Sequence, residues 1–185
     1  MNTWTLDASH SQIEFAVKHM MVTTVRGQFR KFTVDVDFDE EHPEMSTVAA
    51  HIDAASIDTG VEARDAHLRS ADFFDADHHA ELAFRSSHIE ARRDGYTIEG
   101  DLTIRGVTHP VTLDAEIGGV VANLQGGRRA GFSATTKISR KIWGLTWNQV
   151  IEAGGLAVGD DIKISIELAM VQAEAVGSQK VPAAA

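Results

Sequence analysis

The chain has 185 residues and a formal net charge of −10 at pH 7, from 17 Lys and Arg against 27 Asp and Glu. This length suits one domain, and the acidic balance argues against a nucleic-acid partner, which needs a basic surface. The sequence has 43% hydrophobic residues and no cysteine. Such a composition is typical of a soluble globular domain, and it excludes disulfides, thiolate metal sites and cysteine nucleophiles.

The two ends of the chain carry little structural signal. The N-terminal sequence MNTWTLDASHSQIEF has neither the basic nor the apolar stretch of an export signal. No apolar run approaches the roughly 18 residues that a membrane-spanning helix requires. We therefore expect a cytoplasmic protein with a single domain over residues 1–171. A flexible tail is expected over residues 172–185, because hydrophobic periodicity is lost there.

Apolar and polar residues alternate with a period of two along most of the chain, which is the pattern of strands with one buried face. The alternating segments are approximately 11–18, 28–38, 45–54, 80–89, 96–104, 107–118, 129–138 and 161–171. Between the third and fourth segments, Thr59 and Glu62 have the spacing of a capping box, which predicts that a helix begins at Thr59. Eight antiparallel strands with one helix inserted between strands 3 and 4 favour an all-β closed barrel.

Six stretches of the sequence together resemble the YceI-like family over residues 3–171. They are WTLDASHSQIEFAVKHM, VRGQF, SIDTGVEARDAHLRSADFFD, GDLTIRGVTHPV, AGFSATTKISR and VGDDIKISIELAM. The resemblance implies a lipocalin-like, eight-stranded antiparallel barrel with an elongated apolar cavity that binds a polyisoprenoid or similar amphiphile. It also implies that a homodimer is to be expected.

Periodicity leaves open whether the inward side chains fill the barrel or line a cavity, and on the residues alone plain core packing is favoured. Together with the resemblance, the alternation predicts a set of ligand-binding residues in the wall and a second set in the connections. The wall candidates are Ile13, Phe15, Val17, Phe32, Phe84, Ile98, Leu102, Ile104 and Phe132. The mouth or lid candidates are Leu68, Phe73, Phe74, Trp143 and Trp147, and the glycine-rich loop 144–159 is a candidate lid.

We interpret the protein as a non-enzymatic carrier or storage module for a long-chain amphiphile such as an isoprenoid quinone or a prenyl phosphate. It would require no cofactor beyond that ligand. No nucleophile elbow, phosphate-binding loop or dinucleotide-binding motif occurs in the sequence. Two alternatives stay open: an enzyme that acts on an isoprenoid or lipid-like substrate in the same pocket, and a filled barrel with a structural or interaction role.

Charged and histidine-rich segments of the sequence are further candidates for ligand sites. Arg64 and Arg69 on the predicted helix are weak candidates for contacting an anionic head group, against the favoured interpretation of a network that ties the helix to the barrel. The DADHH segment, residues 75–79, lacks convincing metal-ligand spacing, so no metal site is predicted. The DVDFDEE segment, residues 35–41, fails the EF-hand pattern at its sixth and twelfth positions and predicts a solvent-facing strand.

Overall fold

The computed structural model describes residues 4–124, 126–151 and 154–172, and its regular structure is predominantly strand. One α-helix, α1, spans Glu62–Arg69 in this part of the chain. The eleven strands described there are β1 (Trp4–Leu6), β2 (Gln12–His19), β3 (Thr23–Phe29), β4 (Phe32–Asp37), β5 (Thr47–Asp53), β6 (Ile57–Asp58), β7 (Glu81–Arg92), β8 (Gly95–Ile104), β9 (Val107–Ala122), β10 (Arg128–Ser139) and β11 (Val158–Gln172).

All the strand pairs are antiparallel and form one sheet, in the order β4-β5-β7-β8-β9-β10-β11-β2-β3-β6, with β1 also paired to β11. The register puts apolar side chains in rows on the concave face. Ile164 of β11, for example, lies opposite Thr136 on one side and Phe15 on the other. Because successive strand residues point to opposite faces, the alternating sequence places one apolar set inside and one polar set outside.

The sheet curls into a half-barrel, and the strands at its two edges are connected directly by the chain. β3 leads into β4 through a bend at Arg30 and Lys31, and β5 leads into β6 through one turn of 3₁₀ helix. The two bends are joined by hydrogen bonds: Asp53 N–H donates to Lys31 O at 3.0 Å, and Arg30 N–H donates to Ser56 O at 3.1 Å. Away from these bends, Trp4 of β1 contacts Phe38, which follows β4, with 6.1 Å between ring centroids.

The structure therefore has eleven strands in the described residues where the sequence predicts eight. A turn of 3₁₀ helix after Asp7 separates β1 from β2, and a similar turn after Asp53 separates β5 from β6. The predicted strand 28–38 is divided by the bend at Arg30 and Lys31, and its first part belongs to β3. Short segments such as β1 and β6 contain too few residues to show a period.

The helix α1 lies between β6 and β7, but it does not begin with the predicted capping box. Val61 is the N-cap residue and makes no side-chain cap. Thr59 instead donates its hydroxyl to Oδ1 of Asp65 at 2.5 Å, and its N–H donates to the same oxygen at 2.9 Å. The buried Asp65 carboxylate thereby fixes the segment before the helix, and the capping-box prediction is wrong.

Two clusters of buried apolar residues lie towards the two ends of the half-barrel. The larger contains Ile52, Leu82, Leu102, Trp143 and Leu145 and lies at the end with α1. The smaller contains Trp4, Ala130 and Met170 and lies at the opposite end. A fully packed interior would need a continuous core between the clusters, whereas the space between them is open.

The C-terminal boundary of the fold differs by one residue from the predicted one. Gln172, predicted as the first residue of the tail, is buried and is the last residue of β11, where it pairs with Trp4. The rest of the predicted tail, residues 173–185, lies outside the described residues. Across the described part of the chain, no helix is long and apolar enough to cross a membrane.

Candidate ligand-binding cavity

An elongated cavity of about 250 Å³ lies inside the half-barrel. Its wall extends from Val158 at the start of β11 to Leu168 near the end of the same strand, so it follows most of the length of the sheet. This volume is just below the range of ordinary small-molecule pockets, about 300 to 1,000 Å³. The interior is therefore hollow, which contradicts the filled-barrel alternative.

The lining of the cavity is almost entirely apolar. Among the residues that the structure describes, three charged ones border it: Glu14, Glu116 and Arg140. Glu14 and Glu116 are exposed and occupy outward positions in the alternation of β2 and β9. The Arg140 guanidinium is bonded to backbone carbonyls of a neighbouring loop. The cavity consequently offers an environment that favours a hydrocarbon chain over a polar or charged guest.

Two phenylalanines in the wall pack against glycines on neighbouring strands. The Phe15 ring lies where a side chain on Gly27 would stand, and a Cβ on Gly100 would come within 2.6 Å of the Phe84 ring. Since glycine has no Cβ, each ring can lie close to the backbone of the adjacent strand. The two glycines thus make room for aromatic rings in the wall beside the open lumen.

Aromatic side chains line one end of the cavity and form an end wall there. Trp143 is 1% exposed, and its indole N–H donates to the carbonyl of Leu102 at 3.1 Å. Phe73 is also buried and lines the cavity, and Phe74 packs edge-on against Phe29 with 5.7 Å between ring centroids. Trp143, predicted as a mouth or lid residue, is a buried and hydrogen-bonded part of this end wall, and its role at the mouth stays a prediction.

The opposite end of the cavity is bordered by a second group of aromatic rings. Phe38 stacks edge-on between Trp4 and Phe132, at centroid distances of 6.1 and 5.0 Å. Phe38 and Phe132 line the cavity, while Trp4 is buried behind them. Edge-to-face contacts of this kind stabilise a cluster beyond simple area burial, so both ends of the hollow are reinforced by rings.

The structure brings twelve of the fourteen predicted ligand-binding residues to the cavity lining. The twelve are Ile13, Phe15, Val17, Leu68, Phe73, Phe74, Phe84, Ile98, Leu102, Ile104, Phe132 and Trp143. Their role as ligand contacts stays a prediction, since lining a cavity is a statement about position alone.

Phe32 and Trp147 do not line the cavity. Phe32 is the first residue of β4 and packs against the larger core cluster next to the bend. Trp147 lies in a separate aromatic group with His67 and Phe73, at centroid distances of 4.6 and 5.4 Å. Periodicity did not fix these two positions, because one residue lies at a strand end and the other in a connection.

Many lining residues were not among the predicted ones, although the same alternation contains them. They include Phe29, Val34, Val36, Phe38, Leu82, Ile89, Val111, Leu113, Ile138, Ile162, Ile164, Ile166 and Leu168. Taking every second residue of each strand as inward-facing would have identified most of this set.

The loop 144–159 is tied to the barrel by the buried side chain of Arg140. The guanidinium is 4% exposed and lies 3.5 Å from Oδ1 of Asp160. Burial lowers the pKa of Arg140, and the Asp160 carboxylate opposes this effect. The guanidinium donates to the backbone carbonyls of Leu145, Trp147, Val158 and Gly159 at 2.5 to 3.3 Å. These bonds hold the candidate lid against the end of the sheet.

The two arginines considered as head-group contacts are bonded within the fold. Arg64 donates to the hydroxyl of Thr59 at 2.7 Å, and Arg69 donates to the carbonyl of Ala55 at 3.0 Å. Arg69 also lies 3.3 Å from Glu62. Both side chains thus join α1 to the segment that follows β5.

The histidine-rich segment forms local contacts. His78 Nδ1 lies 2.8 Å from Asp75 Oδ1, and this contact raises the pKa of His78 and lowers that of Asp75. In the parts of the chain that the structure describes, no group of three His, Asp or Glu side chains is placed to hold a metal ion.

A curled antiparallel sheet with an apolar interior defines the class of this protein: it has a lipocalin-like fold, in which a barrel-shaped sheet surrounds a cavity. Within that class the assignment is specific. The model of the YceI-like domain matches residues 4–170, and the chain belongs to the YceI-like family.

Known proteins of similar sequence and structure agree with this assignment. A UPF0312 protein of Staphylococcus aureus (strain N315) is 38% identical over 164 residues, which are 88% of this chain and 94% of the relative. The crystal structure of the Campylobacter jejuni YceI protein is 32% identical and covers 95% of this chain and 100% of its own, with a TM-score of 0.72. A polyisoprenoid binding domain from Saccharophagus degradans shares the fold, with 14% identity, 93% and 99% coverage and a TM-score of 0.63.

Proposed function

We propose that this protein binds a polyisoprenoid or a similar long-chain amphiphile in its cavity and sequesters or carries it. The observation that carries the proposal is the elongated, apolar lumen between two aromatic end walls. The solved polyisoprenoid binding domain of the same fold supports the choice of ligand class. An isoprenoid quinone and a prenyl phosphate both belong to that class.

The proposed binding has a sufficient driving force. Each buried CH₂ group contributes roughly 0.8 kcal/mol, so one five-carbon isoprene unit contributes on the order of 3 to 4 kcal/mol before ordering costs. Because this contribution is non-directional, the cavity selects for the length and width of a chain, and acyl chains compete with prenyl chains. Binding of this kind needs no cofactor and no catalytic group.

Organic extraction of the natively purified protein, followed by mass spectrometry, tests the proposal. Purification without detergent avoids an artificial occupant of the cavity. We expect a long-chain amphiphile in reproducible, near-stoichiometric amount, and uptake of an added prenyl quinone by protein from which the occupant has been removed. Protein that contains no amphiphile and takes up none would contradict the proposal.

The same experiment separates binding from turnover. A binding protein returns the added prenyl quinone chemically unchanged, whereas an enzyme that uses the cavity returns an altered product in multiple-turnover amounts. We expect the unchanged compound, because the charged residues that border the lumen are either exposed or engaged with backbone carbonyls. Accumulation of a product would favour the enzyme alternative.

A further inference from the structure

Exposed apolar side chains are concentrated on two neighbouring turns at the end of the half-barrel that holds Trp143. The first turn joins β2 to β3, and Met20, Met21 and Val22 are exposed there, Met21 by 74%. The second is the turn between Val150 and Leu156, which pair across an isolated bridge, and Val150 is also 74% exposed. We call the described residues 20–22, 150–151 and 154–156 the tip surface.

The two turns touch, so their apolar side chains form one surface. The Met20 N–H donates to the carbonyl of Ala157 at 2.8 Å. Met21 Sδ lies 2.8 Å from where a Cβ on Gly155 would stand, so the thioether packs directly against the second turn. A contiguous exposed apolar surface of this kind marks a site of interaction.

The backbone of the first turn is held in the left-handed conformation, which residues other than glycine rarely adopt. Met20 has φ of 50° and Met21 has φ of 63°. Two such residues in succession strain the backbone of the turn. The strained turn directs two large apolar side chains away from the fold, where they contribute little to the core.

Two basic side chains lie on the strands that lead into and out of the first turn. Lys18 and Arg26 lie exposed on β2 and β3, and neither has an ion-pair partner among the residues that the structure describes. The nearby Asp160 carboxylate is neutralised by Lys141 at 2.7 Å and by Arg140. The sequence between the described residues 151 and 154 contains one acid, Glu152.

The position of Lys18 and Arg26 beside the tip surface indicates which kind of partner this surface fits. A protein with a net charge of −10 is repelled by an anionic bilayer over most of its surface. An apolar tip flanked by Lys and Arg is the exception, because it combines insertion of side chains at the interface with attraction to anionic lipids.

The tip surface also adjoins the cavity. Val17 lines the lumen three residues before Met20, and Val158, which faces the lumen from β11, pairs with His19 at the base of the first turn. A ligand too apolar to dissolve in water must be collected from or delivered to a lipid phase. The end that carries the tip surface is therefore the end at which the cavity and a bilayer would come together.

We propose that the tip surface docks on an anionic lipid bilayer, with the methionine turn and the Val150 turn in the interface and Lys18 and Arg26 against the lipid head groups. This proposal rests on the proposed function, since the bilayer is where an isoprenoid ligand resides. The docking is peripheral, and it positions the adjoining end of the cavity over the membrane.

Vesicle co-sedimentation of the full chain tests the proposal. The probes are large unilamellar vesicles of phosphatidylcholine alone and of equimolar phosphatidylcholine and phosphatidylglycerol. We expect binding to the anionic vesicles, weakened by salt, and little binding to phosphatidylcholine alone. A parent protein that does not sediment with anionic vesicles would overturn the proposal.

A pair of matched double variants locates the docking surface. Met21→Glu with Val150→Glu places two carboxylates on the tip surface, and we expect vesicle binding to fall at least tenfold. Val121→Glu with Leu124→Glu makes the same charge change at two exposed apolar positions at the opposite end, and we expect less than a twofold change. Equal losses in the two double variants would overturn the location.

The variants Lys18→Gln and Arg26→Gln test the charge contribution without altering the tip surface. We expect each to lower binding to anionic vesicles about fivefold and to leave the thermal unfolding transition unchanged. Binding that is insensitive to both substitutions would contradict an electrostatic contribution. The parent could instead form a dimer that the Met21→Glu, Val150→Glu variant does not form, and bind no vesicles. That result would make the tip surface an interface between two copies of the chain and overturn the proposal.

Uptake of a prenyl quinone from detergent solution distinguishes this proposal from the one on which it rests. If the parent takes up the quinone from detergent but does not bind vesicles, docking alone is wrong. If it takes up no quinone from detergent, the proposed function is wrong, whatever the vesicles show. We expect the tip variants to load normally from detergent and slowly from vesicles.

Discussion

Arg140 shows how a single buried side chain positions a whole loop. Four carbonyls of the loop 144–159 depend on its guanidinium, which presents a planar set of donors that lysine lacks. The sequence alone did not reveal this role, because Arg140 follows an ordinary strand and its acceptors are backbone atoms brought near by the fold.

The variant Arg140→Met should lower the free energy of unfolding by about 3 to 5 kcal/mol, since it leaves buried acceptors and the Asp160 carboxylate without their partner. Urea unfolding followed by far-ultraviolet circular dichroism measures this change. Arg140→Lys keeps the charge, and its free energy of unfolding should lie between those of the parent and of Arg140→Met. A loss smaller than about 1 kcal/mol for Arg140→Met would show that the loop is held by other contacts.

Gly27 provides a second residue-level test, because the Phe15 ring occupies the place of its missing Cβ. Gly27→Ala should force that ring to move and lower the free energy of unfolding by roughly 1 to 3 kcal/mol. Gly131→Ala is the matched control, since nothing lies within 4 Å of a Cβ at that position in β10. The same urea titration should show a change within about 0.5 kcal/mol for the control, and similar losses in both variants would disprove the packing argument.

Asp7 makes the stability of the N-terminal segment depend on pH. Its carboxylate accepts a hydrogen bond from the Ser9 hydroxyl at 2.6 Å and also contacts His10 and Arg129, and these contacts hold the pKa of Asp7 far below its ordinary value. A depressed pKa contributes stability above the unfolded-state value of about 3.9, and this contribution is lost as the pH falls below it.

The variant Asp7→Asn should therefore be less stable than the parent at pH 7, and the difference should shrink when both are unfolded at pH 3. Thermal unfolding at the two pH values measures this. A difference between the variant and the parent that stays constant from pH 7 to pH 3 would mean that the charge of Asp7 contributes nothing to the folded state.

At the scale of elements, the strands were predictable wherever alternation continues over five or more residues. The bend between β3 and β4 leaves a visible trace in the sequence, because Phe29 and Phe32 both belong to the core although they are three positions apart. Arg30 and Lys31 between them change the phase of the alternation. The two-residue strand β6 has no such trace, because its position depends on pairing with β3.

The hollow interior could not be predicted from alternation alone. A period of two tells which face of a strand is inside, but not how far apart opposite walls lie. That distance depends on the curl of the sheet and on how the Phe15 and Phe84 rings pack over Gly27 and Gly100 of the adjacent strands. The expectation of a cavity therefore came from the family resemblance, because the residues by themselves left open whether the barrel is hollow or filled.

A larger side chain on β10 tests whether this hollow is the binding site. Ala134 lines the lumen, whereas its neighbour Thr135 is exposed on the outer face. Ala134→Phe should reduce prenyl quinone uptake at least tenfold, because a ring would occupy part of the 250 Å³ cavity. Thr135→Phe should leave uptake unchanged, and equilibrium titration of both variants against the parent decides the matter. Equal uptake by all three would place the site elsewhere.

At the scale of the whole molecule, the hollow implies that ligand and stability are linked. A ligand that binds only the folded protein stabilises it by about 2.7 kcal/mol when its concentration is 100 times the dissociation constant. The Tm should therefore rise with added prenyl quinone and stay constant with a short water-soluble quinone of the same head group. A rise of the same size with both compounds would show that the head group, and not the chain, is bound.

The proposed function requires a long apolar chain to lie along the inside of this sheet. A crystal structure of protein purified without detergent and loaded with a prenyl quinone tests it most directly. We expect continuous tubular density beside Phe15, Ile164 and Phe132, between the two aromatic end walls. An interior without such density, at a site shown by titration to be saturated, would contradict it.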